Sequence, residues 1–183
     1  MNSGQAMMVI VAMMLLSTFT LTVNNTLVLS TSTGLEMEAS LDALSYGHSL
    51  LDEILQREFD EATIGTRIFN TSDLSTTLGW ESGEAFGLPD SSESDVFLSR
   101  TSYDDVDDYN HYRRVVRNPR LDYFTLTVSV LYVEEDSPFS DSGSKTFCKK
   151  VQVTVTNPYM PKDQNGVLVP LTLSDMSVYR RYF

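Results

Sequence analysis

The first 35 residues contain no charged side chain, because Glu36 is the first Asp, Glu, Lys or Arg in the chain. Residues 6–23 read AMMVIVAMMLLSTFTLTV. A helix rises about 1.5 Å per residue, so about 20 such residues cross a hydrocarbon core of about 30 Å. Ser and Thr are tolerated in such a helix because their hydroxyl groups bond back to its carbonyls. This stretch therefore predicts a single membrane-spanning helix over 5–30.

A cleaved signal peptide is the main alternative for this stretch. It requires a basic region before the apolar run and a small-residue cleavage site after it. Residues 1–5 contain no Lys or Arg, and 24–28 (NNTLV) is a poor cleavage site, although 30–32 (STS) fits better. A buried helix of a soluble domain is the third alternative. Since no Lys or Arg flanks the helix, the positive-inside rule gives no orientation.

The charged part of the chain is acidic. All 38 charged side chains lie in the last 148 residues, and the net charge is −12. Nucleic-acid binding is therefore not expected, because phosphate contacts need Lys and Arg. The single Cys excludes an intramolecular disulfide and a Cys-rich zinc site. We expect one domain with one core over 31–183, on the outer side of the membrane.

The charge within this domain is divided unevenly. Residues 36–108 carry 18 acidic and three basic side chains, whereas 109–183 carry seven acidic and ten basic ones. Opposite net charges attract, so the two parts are expected to pair. The pairing is either within one chain or between neighbouring copies docked head to tail.

Residues 35–60 predict an amphipathic helix. They contain no Pro, and apolar side chains recur at spacings of three and four, so that one face packs on the domain. This helix either continues the membrane helix or is separated from it by a kink at 30–34. The predicted apolar stripe comprises Met37, Leu41, Leu44, Leu51 and Leu55, with His48 packed among them and Leu50 and Ile54 at its margin.

The rest of the chain predicts loops followed by a sheet. Residues 61–120 are rich in Gly, Ser, Thr and acids, which is typical of loops. Over 121–183 the period changes to two, and strands are predicted at 121–133, 145–156 and 167–182. Three such strands form an antiparallel meander, and the amphipathic helix covers its apolar face. The predicted fold class is α+β, a long N-terminal helix packed on a C-terminal antiparallel sheet.

A cluster of acids at 104–108 (DDVDD) suggests a Ca²⁺ site. Carboxylate and amide oxygens are ligands that Ca²⁺ prefers, and the candidate ligands are Asp105, Asp107 and Asn110. The spacing lacks the Gly and Glu of an EF-hand loop. The alternative is a turn whose Asp side chains cap backbone N–H groups and pair with nearby arginines (Arg113, Arg114 and Arg117). No other cofactor is indicated.

No catalytic motif is present in the sequence. G-x-S-x-G, Walker A and H-E-x-x-H patterns are all missing. Cys148 has no His predicted on a neighbouring element and is expected to be a packing residue. We therefore expect a protein that is not an enzyme.

Two segments resemble the type IV pilins and pseudopilins, in particular the MSHA-type minor pilins. Residues 43–61 (ALSYGHSLLDEILQREFDE) and 104–109 (DDVDDY) are similar to stretches of those proteins in the same order. The resemblance implies a minor subunit of a type IV pilus-related filament or secretion system. It also implies a single-pass protein of the bacterial inner membrane with an extracytoplasmic C-terminal domain. The implied partners are other pilin-like subunits, reached through the N-terminal helix, and a filament assembly platform.

The same resemblance implies processing between Gly4 and Gln5, after a leader at 1–4. Assembly would then use the apolar helix, with Val9, Val11, Leu15 and Phe19 among its contacts. Prepilins of this family carry a basic leader and a Glu at the fifth mature position, but this leader has no basic residue and the fifth position is Val9. In the family that Glu neutralises a neighbour's terminal amine, since a buried charge without a partner is costly. Its absence implies a minor subunit. The alternative function is a single-span anchored domain that binds Ca²⁺ or a partner protein without assembling.

Overall fold

The computed structural model describes residues 2–75, 78, 90–91 and 96–180. The chain forms two compact units, Met1–Glu38 and Ala39–Phe183. One helix, α1, spans Ser3–Leu55, so its last 17 residues, 39–55, belong to the second unit. Residues 30–34 are helical, so the predicted break at these residues and the alternative of two separate helices are wrong, while the kink stays a prediction.

The first unit consists of α1 residues with exposed apolar side chains. This part of the helix is long and apolar enough to cross a membrane. The exposed side chains include the predicted assembly positions Val9, Val11, Leu15 and Phe19. Five threonine hydroxyl groups donate hydrogen bonds to carbonyls three or four residues earlier in the same helix, as expected for hydroxyls in an apolar helix. They belong to Thr18, Thr20, Thr22, Thr26 and Thr31.

The second unit is built on a six-stranded sheet with the order β1-β2-β3-β5-β6, and β4 pairs with the end of β3. All strand pairs are antiparallel except β1–β2. The predicted meander corresponds to β3, β5 and β6, and the predicted α+β class is confirmed. The strands are β1 (Asp90–Ser91), β2 (Arg113–Asn118), β3 (Asp122–Glu134), β4 (Ser137–Asp141), β5 (Cys148–Thr156) and β6 (Leu171–Val178).

Several elements lie in segments that the sequence predicts as loops. Strands β1 and β2, helix α2 (Leu98–Ser102) and three 3-10 turns (Glu61–Thr63, Thr71–Asp73 and Asp107–Tyr109) all fall within 61–120. Strand β2 reads RRVVRN and lacks an apolar alternation, because a charged residue, Arg114, occupies one of its buried positions. Strand β4 is short and mostly exposed. Period-two patterns identify strands that bury apolar side chains, and these strands do not.

The core lies between one sheet face and α1 residues 39–55. The sheet contributes alternate residues of β3 and β5, as the period-two pattern predicts. The other face carries mainly Thr, Ser and Gln, which is typical of an antiparallel sheet with one face in water. The buried apolar residues of the two central strands are Phe124, Leu126, Val128, Val130, Tyr132, Val133, Val151, Val153 and Val155.

The face of α1 that packs on the sheet differs from the predicted stripe. Met37 and Leu41 are 64% and 67% exposed, and Leu44 and His48 are exposed as well. The prediction is therefore wrong for these four positions and right for Leu51. The buried residues are Ala39, Ala43, Gly47, Leu50, Leu51 and Ile54.

Small side chains explain this orientation of the helix. Ala39, Ala43 and Gly47 are four residues apart and lie on one side of α1. A Cβ atom at Gly47 would lie 2.7 Å from Cδ1 of Leu173 and 3.2 Å from Cγ2 of Val155. The helix backbone can approach the sheet closely only where side chains are this small. Spacing of large apolar residues alone does not reveal such a face.

Candidate functional site

Two buried polar clusters connect the end of α1, and the segment that follows it, to the sheet. The Lys149 cluster consists of Lys149, Asp60, Asp105, Asp107 and Tyr132. The Glu53 cluster consists of Glu53, Ser99, Tyr109, Tyr112 and Arg114. Both clusters lie within the second unit.

Lys149 is a fully buried cation on the central strand β5. Its Nζ donates hydrogen bonds to Asp107 Oδ1 at 2.7 Å, to Asp60 Oδ2 at 3.1 Å and to the carbonyl oxygen of Phe59 at 2.6 Å. These acceptors use all three N–H groups of an ammonium. The rings of Phe59 and Tyr132 lie 4.4 and 5.4 Å from Nζ. The ammonium is thus enclosed by carboxyl groups and aromatic rings.

Asp60 is fixed by the turn that it caps. Its side-chain Oδ1 accepts hydrogen bonds from the backbone N–H of Ala62 at 3.1 Å and of Ser75 at 2.9 Å. The hydroxyl oxygen of Thr63 accepts from the Asp60 N–H in return, completing a capping box around Glu61–Thr63. Burial raises the pKa of Asp60, but Lys149 and the Ser75 N–H outweigh burial and hold the pKa below its usual range.

Asp105 and Asp107 enter the cluster from the 104–109 turn. Burial, together with the neighbouring Asp105 carboxyl, raises the pKa of Asp107 to about 8 against the opposing effect of Lys149. Burial also raises the pKa of Asp105. One lysine therefore faces three carboxyl groups, and at neutral pH Asp107 retains a proton.

The capping alternative for the 104–109 turn is confirmed. Asp105 Oδ1 accepts from the N–H of Asp108, and Asp108 Oδ2 accepts from the N–H groups of Asp104 and Asp105. The predicted pairing with arginines is wrong for Asp107, which pairs with Lys149. It is also wrong for Arg114, which pairs with Glu53.

The three predicted Ca²⁺ ligands have protein partners. Asp105 and Asp107 are bonded as described, and Asn110 accepts a hydrogen bond from the Val130 N–H and donates one to the Leu78 carbonyl. Within the residues that the structure describes, no group of three or more His, Cys, Asp and Glu side chains is arranged to hold a metal ion. Calcium binding stays a prediction.

Glu53 and Arg114 form the second cluster as a bidentate pair. Arg114 Nη2 donates to Glu53 Oε1 at 2.7 Å, and Nη1 donates to Oε2 at 3.1 Å. Such pairs are geometrically specific and stronger than neutral hydrogen bonds. The hydroxyl groups of Ser99 and Tyr109 also donate to Oε1, at 2.8 and 3.1 Å. The Phe97 ring lies 4.1 Å from the guanidinium carbon.

The charges of this second cluster are balanced. Burial raises the pKa of Glu53, but Arg114 and the hydroxyl donors outweigh burial and lower it. Burial lowers the pKa of Arg114, and Glu53 more than compensates. Burial and the adjacent Glu53 raise the pKa of Tyr109 to about 12. The groups therefore keep their ordinary charge states at neutral pH, which suits a structural connection between α1 and β2.

Pairs of carboxyl groups and cations join the acidic and the basic part of the second unit. Glu53, Asp60 and Asp107 belong to the acidic part, and their partners Arg114 and Lys149 belong to the basic part. The expectation that the two parts pair within one chain is confirmed. Docking between neighbouring copies stays a prediction.

Sequence reasoning missed three residues at the centres of these clusters, Glu53, Asp60 and Lys149, and it named Arg114 with the wrong partner. One signal was available for Lys149. The alternation that places Phe147, Val151 and Val153 in the core also places Lys149 there. A charged residue at an inward position of a strand indicates a buried partner of opposite charge.

The predicted processing and assembly positions lie in the first unit. Gly4 and Gln5 belong to the first turn of α1, and a Cβ at Gly4 would meet nothing within 4 Å. Comparison with protein-family models, with curated proteins and with solved structures gives no match to this chain. The resemblance to type IV pilins therefore stays a prediction.

Proposed function

We propose that this chain is a membrane-anchored, pilin-like minor structural subunit of a type IV pilus-related filament or secretion system. The observation that carries the proposal is α1. Its first 36 helical residues, 3–38, are mostly exposed and nearly uncharged, while residues 39–55 form part of an α+β core. An exposed apolar surface of this length needs lipid or other helices to cover it. Lipid can cover this helix while it lies in the bilayer, and similar helices can cover it in a bundle after assembly.

Two further observations support a structural role. The buried charges of the second unit bind one another, for example Glu53 with Arg114. The apolar Val9 stands where a major pilin subunit would carry a carboxylate, which favours a minor subunit. In this proposal the second unit is extracytoplasmic, the inner membrane holds the first, and the partners are other pilin-like subunits and an assembly platform.

Mass spectrometry of the N-terminus in the native host tests this proposal. Filaments and inner membranes are purified separately, and the N-terminal peptide of the chain is identified in each. We expect the chain in both fractions and a product that begins at Gln5. An intact Met1, together with absence from filaments, would overturn the proposal and favour an anchored domain that does not assemble.

Two glycines provide a matched pair of variants for the same experiment. Gly4 and Gly34 both lie in α1, and an added Cβ meets nothing within 4 Å at either position. Gly4→Leu is expected to prevent cleavage while leaving membrane insertion intact. Gly34→Leu, the same change in the same helix, is expected to leave both unchanged.

A further inference from the structure

We propose that Lys149 and Asp60 join through a side-chain amide bond that forms in the folded chain. Lys149 Nζ lies 3.1 Å from Asp60 Oδ2, and neither side chain has any exposed surface. The reaction condenses the amine with the carboxyl group and releases one water. It requires no oxidant, reductant or external reactant. This modification is independent of the proposed function.

Burial makes the two groups reactive toward each other. The ion pair is the resting form, because, despite burial, Lys149 and the Ser75 N–H hold the pKa of Asp60 low. The reactive form arises when one proton passes from Nζ to Oδ2, which gives a neutral amine and a neutral carboxylic acid and relieves the desolvation cost of the two charges. The neutral amine is the nucleophile. The rings of Phe59 and Tyr132 beside Nζ keep bulk water away. Groups held at this separation react as if at very high concentration.

Asp60 is arranged as an electrophile. When Nζ attacks Cγ, negative charge develops on Oδ1. That oxygen already accepts the N–H groups of Ala62 and Ser75, at 3.1 and 2.9 Å. Two backbone donors at this distance stabilise an oxyanion. The other oxygen, Oδ2, accepts from the Tyr132 hydroxyl at 3.4 Å and is the atom that leaves.

Asp107 transfers the remaining proton. Its Oδ1 lies 2.7 Å from Nζ, close enough to take a proton from the attacking nitrogen. Burial raises the pKa of Asp107 to about 8, so this carboxyl group holds a proton that it can deliver to the leaving oxygen. One C–O bond breaks and one C–N bond forms. Two of the three Nζ protons depart in the water, and Asp107 ends as it began.

A second lysine–aspartate pair in the same sheet provides a matched control. Lys150 Nζ lies 2.7 Å from Asp141 Oδ1, but these side chains are 20% and 60% exposed. Solvent hydrates both groups, so this pair lacks the desolvation that makes the buried pair reactive. We therefore expect no bond at this pair, although the distance is shorter.

Mass spectrometry of the full chain, purified in detergent, tests the proposal. We expect an intact mass about 18 Da below that of the unlinked chain, the mass of one water. A tryptic digest is expected to contain peptide 58–67 joined to peptide 146–150. Lys149→Arg keeps the positive charge but is expected to abolish the mass loss. Asp141→Ala is expected to retain it.

Asp107→Asn tests the proton-transfer role, because it keeps the size of the side chain. We expect this variant to fold, as judged by circular dichroism, and to accumulate unlinked chain. A wild-type chain without the mass loss overturns the proposal, whether or not the variants fold. A link from Lys149 to peptide 101–113, which contains Asp107, overturns the assignment to Asp60.

Discussion

The two buried clusters differ in the number of carboxyl groups that face each cation. In the Glu53 cluster one carboxylate meets one guanidinium in a bidentate pair, and the Glu53 side chain remains 11% exposed. In the Lys149 cluster one ammonium faces three carboxyl groups, and Lys149 and Asp60 are fully buried. The pKa of Glu53 is accordingly lowered, whereas the pKa of Asp107 is raised to about 8.

The difference shows that charge balance decides what a buried cluster can do. A balanced pair keeps both charges over a wide pH range and mainly fixes geometry. An excess of carboxyl groups forces one of them to hold a proton near neutral pH. The first arrangement is inert, and the second is sensitive to pH and reactive.

The largest expected effect comes from removal of the buried ammonium. Lys149→Met leaves Asp60 and Asp107 in the core without a cation and also removes the proposed bond to Asp60, and we expect it to lower the unfolding free energy by at least about 3–5 kcal/mol. Urea unfolding followed by circular dichroism measures the change. Lys150→Met removes the adjacent, more exposed ammonium and serves as control. A loss below about 1 kcal/mol for Lys149→Met would show that the cluster does not depend on its cation.

The second prediction applies to the chain in which the Lys149–Asp60 bond has not formed, and it uses the opposite pH responses of the clusters. Asp107 has a folded-state pKa of about 8, above its unfolded value near 3.8. Its contribution to stability is therefore complete below the unfolded pKa and is lost as pH rises through the folded pKa. Glu53 has a lowered pKa, so its contribution is present above its unfolded pKa of 4.5 and is lost as pH falls through the folded value.

Urea unfolding as a function of pH measures both responses. Between about pH 5 and 8 we expect the Asp107 contribution to decline by on the order of 1 kcal/mol per pH unit. Asp107→Asn is expected to remove this decline, and Glu53→Gln is expected to retain it. Equal slopes for wild type and Asp107→Asn would contradict the assignment of the raised pKa to Asp107.

The third prediction weakens the balanced pair. Glu53→Gln keeps the side-chain shape but removes the charge that Arg114 binds, and we expect a loss of about 2 kcal/mol. The exposed neighbour Asp52 provides a control on the same helix, and Asp52→Asn is expected to have little effect. The experiment is again urea unfolding. A larger loss for Glu53→Gln than for Lys149→Met would reverse the order that burial predicts.

The smallest effect is expected at the exposed pair. Asp141→Ala removes the partner of Lys150, and because the Asp141 side chain is 60% exposed we expect a loss below about 1 kcal/mol. High salt should reduce even this difference, since screening acts on exposed charges. A difference that persists at high salt would mean that β4 depends on this contact more than its exposure suggests.

The parts of the fold that the sequence predicts are those with a strong period. The long apolar stretch identifies the first part of α1, and the two-residue alternation after residue 121 identifies β3, β5 and β6. Strand β2 escapes detection because Arg114 occupies one of its core positions. The helix face escapes because Ala39, Ala43 and Gly47 pack by their small size, which a search for large apolar residues ignores.

The two clusters of the candidate site are harder to predict, because local sequence patterns do not show which residues pair. The acidic run 104–108 has the composition of a metal-ligand set. Which of its carboxyl groups are buried, however, depends on partners that are far away in the sequence. Asp107 meets Lys149 across 42 residues, and Glu53 meets Arg114 across 61. Pairings over such separations follow from the sheet register, which local patterns do not encode. Only the inward position of Lys149 was open to inference.

The threonine hydroxyls of α1 have a consequence for the first unit. Thr20, Thr22 and Thr26 each donate to a carbonyl one turn earlier, so their polar hydrogens are already bonded within the helix. An unbonded hydroxyl costs several kcal/mol on entering hydrocarbon, roughly 4–8 against an alkane reference. These three threonines avoid that penalty in any apolar solvent. Their contribution to the free energy of the helix is therefore nearly the same against acyl chains and against protein side chains.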